Sequence, residues 1–316
     1  MSNKPKVYID GKEGTTGLQI YQRLGGRPDI ELLLIDEDKR KDVSERKKLI
    51  NAADLVFLCL PDAAAVEAVS LIENDNTRVI DASTAHRTAQ GWVYGFAELL
   101  AGQRQRIKTA SRVANPGCHA TGFLSAVAPL TAMGVMGADY PVTCFSITGY
   151  SGGGKKMIAE YEGEGRDVLL DAPSPYATGL THKHLPEMQK LAGLDMPPAF
   201  IPVLGDYYKG MATGILLHNR LLRGKPTAQD IHAMLCEYYV DCTMVRVAPF
   251  GGTAPRIHAN TLAGKDTLEL VVTGHEEQTM ITACFDNLGK GASGAAVQNM
   301  NIMLGFGETT GLSVDA

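Results

Sequence analysis

Apolar positions fall into two textures along this chain of 316 residues. In the first third, short continuous apolar runs alternate with stretches of helical spacing. Residues 6–10 (Lys-Val-Tyr-Ile-Asp) read as a strand, and Ile20, Tyr21 and Leu24 then begin a helical stripe. A strand over 30–35 closes a β-α-β unit. The alternation continues with a strand over 55–60, a helix over 62–73 and a strand over 78–81. Another helix starts at Cys118, where Ala120, Phe123, Leu124, Val127 and Leu130 form its packed stripe and Gly134 its stop. Beyond it, strand-like runs at 142–148, 199–204, 210–217, 244–248, 257–262, 268–273 and 280–285 dominate, with few helices between them.

Gly11, Gly14 and Gly17, in Gly-Lys-Glu-Gly-Thr-Thr-Gly, fall at the turn between the first strand and its helix. That is where a dinucleotide diphosphate sits against a helix N-terminus. The spacing is G-x-x-G-x-x-G rather than G-x-G-x-x-G, and glycine also marks any tight turn; the strand-turn-helix context favours the nucleotide. Asp36, at the end of the second strand, by itself suits a ribose 2′-hydroxyl and NAD. Lys39, Arg40 and Lys41 follow at once. Such a cluster is either a solvated charge run or a site for a 2′-phosphate, and the second reading selects NADP(H). The fold class expected is α/β: a Rossmann-type NADP-binding domain plus an α+β domain with a mixed or antiparallel sheet. The first domain is placed at 1–116, completed by a C-terminal helix over 287–316, and the second at 117–286.

The stretch Asn115-Pro116-Gly117-Cys118-His119-Ala120-Thr121-Gly122 delivers one cysteine to the first turn of a helix. Free N–H groups and the positive end of the helix dipole favour thiolate there, making Cys118 a candidate nucleophile. A small buried hydrophobe is the plainer alternative. Arg87, in the loop Asp-Ala-Ser-Thr-Ala-His-Arg after the strand at 78–81, is a candidate anion clamp or an ordinary exposed arginine. The glycine-rich segment 148–156, with Lys155 and Lys156, either wraps an oxyanion or phosphate or forms a flexible hairpin tip. His182 and His184 precede a Pro-started helix, and metal ligation, acid–base catalysis and a surface loop compete for them. No third ligand has convincing spacing, so no metal site is expected.

Composition changes this picture little. A net charge of −5 gives no support for a nucleic-acid or membrane partner, and no apolar run reaches transmembrane length. The six cysteines, at 59, 118, 144, 236, 242 and 284, contain no Cys-x-x-Cys pair. They read as reduced thiols of a cytoplasmic protein rather than a disulfide framework. The N-terminus carries no signal-peptide pattern.

Five elements in order carry a resemblance: Gly-x-x-Gly-Thr-Thr-Gly, Asp-Ala-Ser-Thr-Ala-His-Arg, Asn-Pro-Gly-Cys, His-Lys-His-x-Pro-Glu and Asp-Asn-Leu-Gly-Lys-Gly-Ala. Together they resemble the shorter type of N-acetyl-gamma-glutamyl-phosphate reductase, within the aspartate-semialdehyde dehydrogenase-like group, over nearly the whole chain. The resemblance implies NADPH-dependent reduction of an acyl phosphate to an aldehyde plus phosphate in arginine biosynthesis, through a thioester on Cys118, by a homodimer or homotetramer. Reductases of aspartyl or aminoadipyl phosphate, and a non-catalytic NADP sensor, are the alternatives. His184 is expected as acid–base catalyst with His182 binding substrate, or the reverse. Cofactor contacts are expected from Gly11, Gly14, Thr15, Thr16, Gly17, Lys39, Arg40, Pro61, Ser83, Ser151, Gly152 and Asn287. Substrate contacts are expected from Arg87, Asn115, Lys155 and Glu187, with Lys183 a further cation. The chain departs from the family where an aromatic residue usually follows the nucleophile: here it is His119, a third acid–base candidate that is expected rather to point away along the helix.

Overall fold

A computed structural model describes residues 4–252 and 255–314. The chain forms two compact units, one of residues 1–97, 102–116 and 292–312, the other of 98–101, 117–291 and 313–316. The return to the first unit therefore falls at Ala292 rather than at 287.

The first unit holds β1 (Lys6–Asp10), α1 (Thr15–Leu24), β2 (Glu31–Leu33), α2 (Val43–Ala52), β3 (Leu55–Leu58), α3 (Asp62–Ser70), β4 (Arg78–Asp81), β5 (Val93–Tyr94), α4 (Gln103–Thr109) and β6 (Arg112–Ala114). Its six strands form one parallel sheet in the order β2-β1-β3-β4-β6-β5. Val7, Ile9, Leu55, Phe57, Ile80 and Val113 supply the core on one side of it. The strand order reverses between β1 and β3, the place where such sheets take ligands at their carboxyl ends. The second unit holds α5 (Cys118–Ala132), β7 (Thr143–Gly149), α6 (Gly154–Glu162), β8 (Ser174–Pro175), α7 (Leu185–Ala192), β9 (Ala199–Gly205), β10 (Met211–His218), α8 (Ala228–Tyr238), β11 (Val245–Val247), β12 (Leu268–Gly274) and β13 (Gln278–Phe285). These strands make a mixed sheet, β11-β12-β13-β10-β7-β9-β8. Finally α9 (Gly294–Leu304) packs its Ala296, Val297 and Met300 into the core of the first unit.

Two local expectations fail. Residues 257–262 form turns rather than a strand: Thr261 and Ala263 N–H groups bond back to His258 and Asn260, three residues earlier. Residues 148–156 are not a hairpin tip; a short 3-10 turn, Tyr150–Gly153, leads directly into α6.

In the second unit, α5 lies on the inner face of the mixed sheet and is buried from His119 to Leu130. A Cβ at Gly122 would stand 2.5 Å from Thr213 Oγ1, so only glycine lets the helix approach β10 this closely. That approach brings the first turn of α5 within reach of polar groups on β7 and β10.

Candidate active site

Cys118 is the first residue of α5. Its N-cap, Gly117, contributes no side chain, and the first turn holds no acidic residue. The cap residue thus takes up none of the first-turn N–H groups, which leaves them to favour an anionic sulfur; the carboxylate at this helix start reaches only the Gly117 N–H. Desolvation does the reverse elsewhere, pushing the thiols of Cys59 and Cys284 up to about 12 and that of Cys144 higher still. Gly291 approaches Cys118 closely: a Cβ there would lie 3.0 Å from that of Cys118.

Glu187, only 2% exposed, sits in the first turn of α7. One of its oxygens accepts the Gly117 N–H at 3.2 Å. The other lies 3.9 Å from Nε2 of His184, the N-cap of α7. A buried carboxylate facing an imidazole steadies the ring when it takes up a proton. Glu187, an expected substrate contact, lies between the Gly117 N–H and the His184 ring. His182 is half-buried, and its Nδ1 accepts the His184 N–H at 3.1 Å. That bond assigns the neutral ring of His182 as the Nε2–H tautomer.

His119 does not point away along the helix. It is 2% exposed, and its ring meets those of His182 at 5.2 Å and His184 at 5.6 Å. The helix has no solvent side at this point, so a stripe argument had no outward face to offer it. Its Nδ1 bonds Ser146 Oγ at 2.8 Å and its Nε2 bonds Tyr176 Oη at 2.7 Å. Burial first, then the charges of His182 and Lys183, pushes its pKa down to about 3. With both ring nitrogens hydrogen-bonded and burial disfavouring its charge, it serves as a neutral strut. Burial and then the Cys118 charge push the Tyr176 phenol well above its ordinary value, so it stays protonated. Tyr176, absent from the sequence reading, carries no motif that would have marked it.

The remaining expected residues divide between the units. Ser151 Oγ accepts from Asn287 Nδ2 at 3.0 Å, and Asn287 Oδ1 accepts the Gly210 N–H at 2.9 Å. Gly152 adjoins them, with a would-be Cβ 3.4 Å from Asn287 Nδ2. Lys155 and Lys183 are exposed. Lys290, outside the reading, is buried against Glu98 at 2.7 Å.

In the first unit, Gly11 has φ +86 and a Cβ there would meet Cys59 O at 2.4 Å; one at Gly17 would meet Gly11 O at 2.4 Å. Gly14 is the N-cap of α1, again without a capping side chain or first-turn acid, and Thr15 and Thr16 follow. Thr15 Oγ1 is buried without a hydrogen-bond partner among the described residues. This uncapped cradle fits a diphosphate. Pro61 is the N-cap of α3. Lys39 and Arg40 are half-exposed and pair with Asp36 at 3.5 Å and Glu37 at 3.6 Å. Ser83 donates to the buried Asp81 at 2.7 Å, which also takes His86 Nδ1 at 2.6 Å. Arg87 donates to the Asn115 and Ala82 carbonyls. Asn115, expected at substrate, is 1% exposed; its amide bonds Ala292 O and Asn299, which fastens β6 to the start of α9. Among the described residues no three His, Cys, Asp or Glu side chains are grouped to hold a metal ion.

The family description "Semialdehyde dehydrogenase, NAD binding domain" matches residues 6–110, and "Semialdehyde dehydrogenase, dimerisation domain" matches 118–287. The fold agrees: aspartate semialdehyde dehydrogenase II of Vibrio cholerae, complexed with ASA, superposes with a TM-score of 0.74 at 17% identity, covering 96% of this chain and 99% of that one. These matches define a protein of the semialdehyde dehydrogenase class. Within it, an N-acetyl-gamma-glutamyl-phosphate reductase 2 of a Nostoc species is 47% identical over 98% of this chain and its own full length. That of Brucella ovis is 49% identical over 96% of this chain and 99% of its own. The chain belongs to the N-acetyl-gamma-glutamyl-phosphate reductase family.

The neutral, buried state of His119 makes a prediction about stability. In the unfolded chain it binds a proton near pH 6.5, whereas the folded ring resists one down to about pH 3. The unfolded state therefore holds the extra proton across that window, and stability falls as pH drops through it. The His119→Phe variant, followed by denaturant unfolding between pH 6.5 and 4, should show a pH slope smaller by about 1.4 kcal/mol per pH unit. Equal slopes would show that His119 takes up its proton normally.

Proposed function

We propose that this protein reduces N-acetyl-gamma-glutamyl phosphate to N-acetylglutamate 5-semialdehyde, releasing phosphate, with NADPH as reductant, as a step of arginine biosynthesis. The observation that carries the reading is a cysteine at an uncapped helix start, tied through Glu187 to the turn that carries the histidine pair. The Cys118 thiolate attacks the γ-carbonyl carbon; a C–S bond forms and the C–O bond to phosphate breaks, leaving a thioester and inorganic phosphate. NADPH, when bound, supplies the hydride that reduces the acyl group. N–H groups at the start of α5 steady the oxyanions on the acyl carbon, each such donor contributing roughly 3–4 kcal/mol. His184 takes the thiol proton and, as imidazolium oriented by Glu187, hydrogen-bonds the oxyanion without giving up that proton; His182 holds the substrate. Collapse of that oxyanion breaks the C–S bond and restores the thiolate.

NADP is chosen over NAD because Lys39 and Arg40 offset the acidic residues Asp36 and Glu37 after β2. The diphosphate would rest on Gly11, Gly14 and Gly17. The protein's six cysteines, held as reduced thiols rather than disulfides, suit a cytoplasmic setting. The assembly is a homodimer, or a homotetramer built from it, joined through the outer face of the mixed sheet. By register, Phe145 and Ile201 share that face, as do Ile147 with Val203 and Leu216 with Met280. Ile201 and Leu216 are 47% and 48% exposed, large for central-sheet aliphatics, and a second copy covering them removes that surface from water.

With the aldehyde, phosphate and NADP⁺ supplied, the purified protein should form NADPH faster than with aspartate semialdehyde. Alkylation of Cys118 at neutral pH should abolish this, with substrate protecting, and His184→Ala should lower kcat by roughly 10²–10⁴. Turnover that survives full alkylation of Cys118 would leave a nucleotide sensor as the better reading. Light scattering should give a multiple of the 33.8 kDa chain mass, and Leu216→Lys should lower it; a monomer in both would remove the sheet-face interface.

A further inference from the structure

We propose that His119 and Tyr176 form a positioning pair that holds the segment 176–184, and with it both catalytic-site histidines, against the start of α5. The idea rests on the function proposed above and adds a role for the residue by which this chain departs from the aromatic usual after the nucleophile.

Three observations carry it. First, both nitrogens of the buried His119 ring are engaged, to Ser146 at 2.8 Å and Tyr176 at 2.7 Å, and Ser146 Oγ bonds Thr213 Oγ1 at 2.8 Å. A neutral imidazole has one donor and one acceptor, so the ring spans from the inner face of the sheet to the phenol with no polar atom left over. A phenylalanine or tyrosine in its place cannot make both bonds.

Second, the backbone after Tyr176 is strained. Ala177 has φ 50 and Leu180 has φ 56, two of the three non-glycine residues with positive φ among the described residues. Left-handed backbone persists in such residues only when the surroundings over-determine it. Leu180 is 64% exposed, so its own burial does not hold the turn. The turn is held at its ends. On one side β8 pairs with β9, the Tyr176 N–H bonds Pro202 O at 3.0 Å, and the phenol reaches His119. On the other side His182 and His184 pack on the same ring.

Third, the contacts transmit position. The His119 ring stands at 87° to His182 and 55° to His184, and those two stand at 85° to one another. Phe200 backs both His119 and His182, at 5.2 Å and 5.3 Å. Displacing the central ring displaces both its neighbours. His119 acts through them and exchanges no proton with the substrate.

The test compares wild type, Tyr176→Phe, His119→Phe and the double variant, with rates normalised to the Cys118 thiols that alkylate at neutral pH. Tyr176→Phe removes one half-buried hydroxyl and keeps the ring, so it retains the fold even if His119→Phe does not. Each single variant should lower kcat per active thiol about ten- to a hundred-fold, the scale of small misplacements in an active site. The double variant should be no worse than the poorer single, because the one bond that Tyr176→Phe removes is already lost in His119→Phe. The limbs of the kcat–pH profile should keep their midpoints. A lost limb would make His119 or Tyr176 a proton-transfer group, and unchanged kcat would remove the role altogether. Hydrogen exchange of 176–184 gives a readout independent of turnover: Tyr176→Phe should raise it at least about ten-fold. Unchanged protection overturns the proposal even if the wild-type enzyme works, and raised protection loss in a protein that turns over no acyl phosphate would sink the function while leaving the pair intact.

Discussion

A buried carboxylate facing two ways is the constraint on which the catalytic unit depends. Glu187 receives the Gly117 N–H, just before Cys118, with one oxygen and faces His184 with the other. It fixes the start of α5 against the start of α7, so one side chain sets the relation between the sulfur's turn and the histidine's turn. The glycine N-cap is part of the same arrangement. A Ser or Asp cap would satisfy the helix's first N–H groups internally and take from the site the donors an oxyanion needs.

The polar groups around this carboxylate are sorted by burial. His119 loses its proton affinity to desolvation and becomes a fixed hydrogen-bonding element, and the Tyr176 phenol keeps its proton for the same reason. Cys59, Cys144 and Cys284 are held as thiols by their apolar surroundings. What distinguishes Cys118 is its place at the head of a helix. The nucleotide cradle of the first unit follows the same logic, with α1 also starting at a glycine that leaves its N–H groups to an anion.

Local pattern made much of this legible. Strand-turn-helix alternation placed the parallel sheet and the glycine turn, because both write their period directly into neighbouring residues. The Cys118 turn and the His182–His184 pair were visible for the same reason. What stayed hidden depends on residues far apart in sequence. Tyr176 joins the site only because β8 lies beside β9, and no motif announces that pairing. Glu187 and Asn115 stand within motifs, but that each also holds backbone, Glu187 the Gly117 N–H and Asn115 the Ala292 carbonyl, depends on residues far along the chain and leaves no local mark. His119 was misjudged because a helix buried on every side has no outward face. The run at 257–262 resembles a strand, yet the segment closes on itself through four-residue turns.

The central claim is that the sulfur of Cys118 carries the acyl group between loss of phosphate and reduction. Mixing the protein with N-acetyl-gamma-glutamyl phosphate in the absence of any nicotinamide cofactor, then quenching in acid for mass spectrometry, tests it directly. The account predicts a burst of phosphate approaching one per active site, with an N-acetylglutamyl mass on the peptide containing Cys118 that hydroxylamine removes. Phosphate release with no adduct on that peptide, or an adduct on another residue, would contradict it.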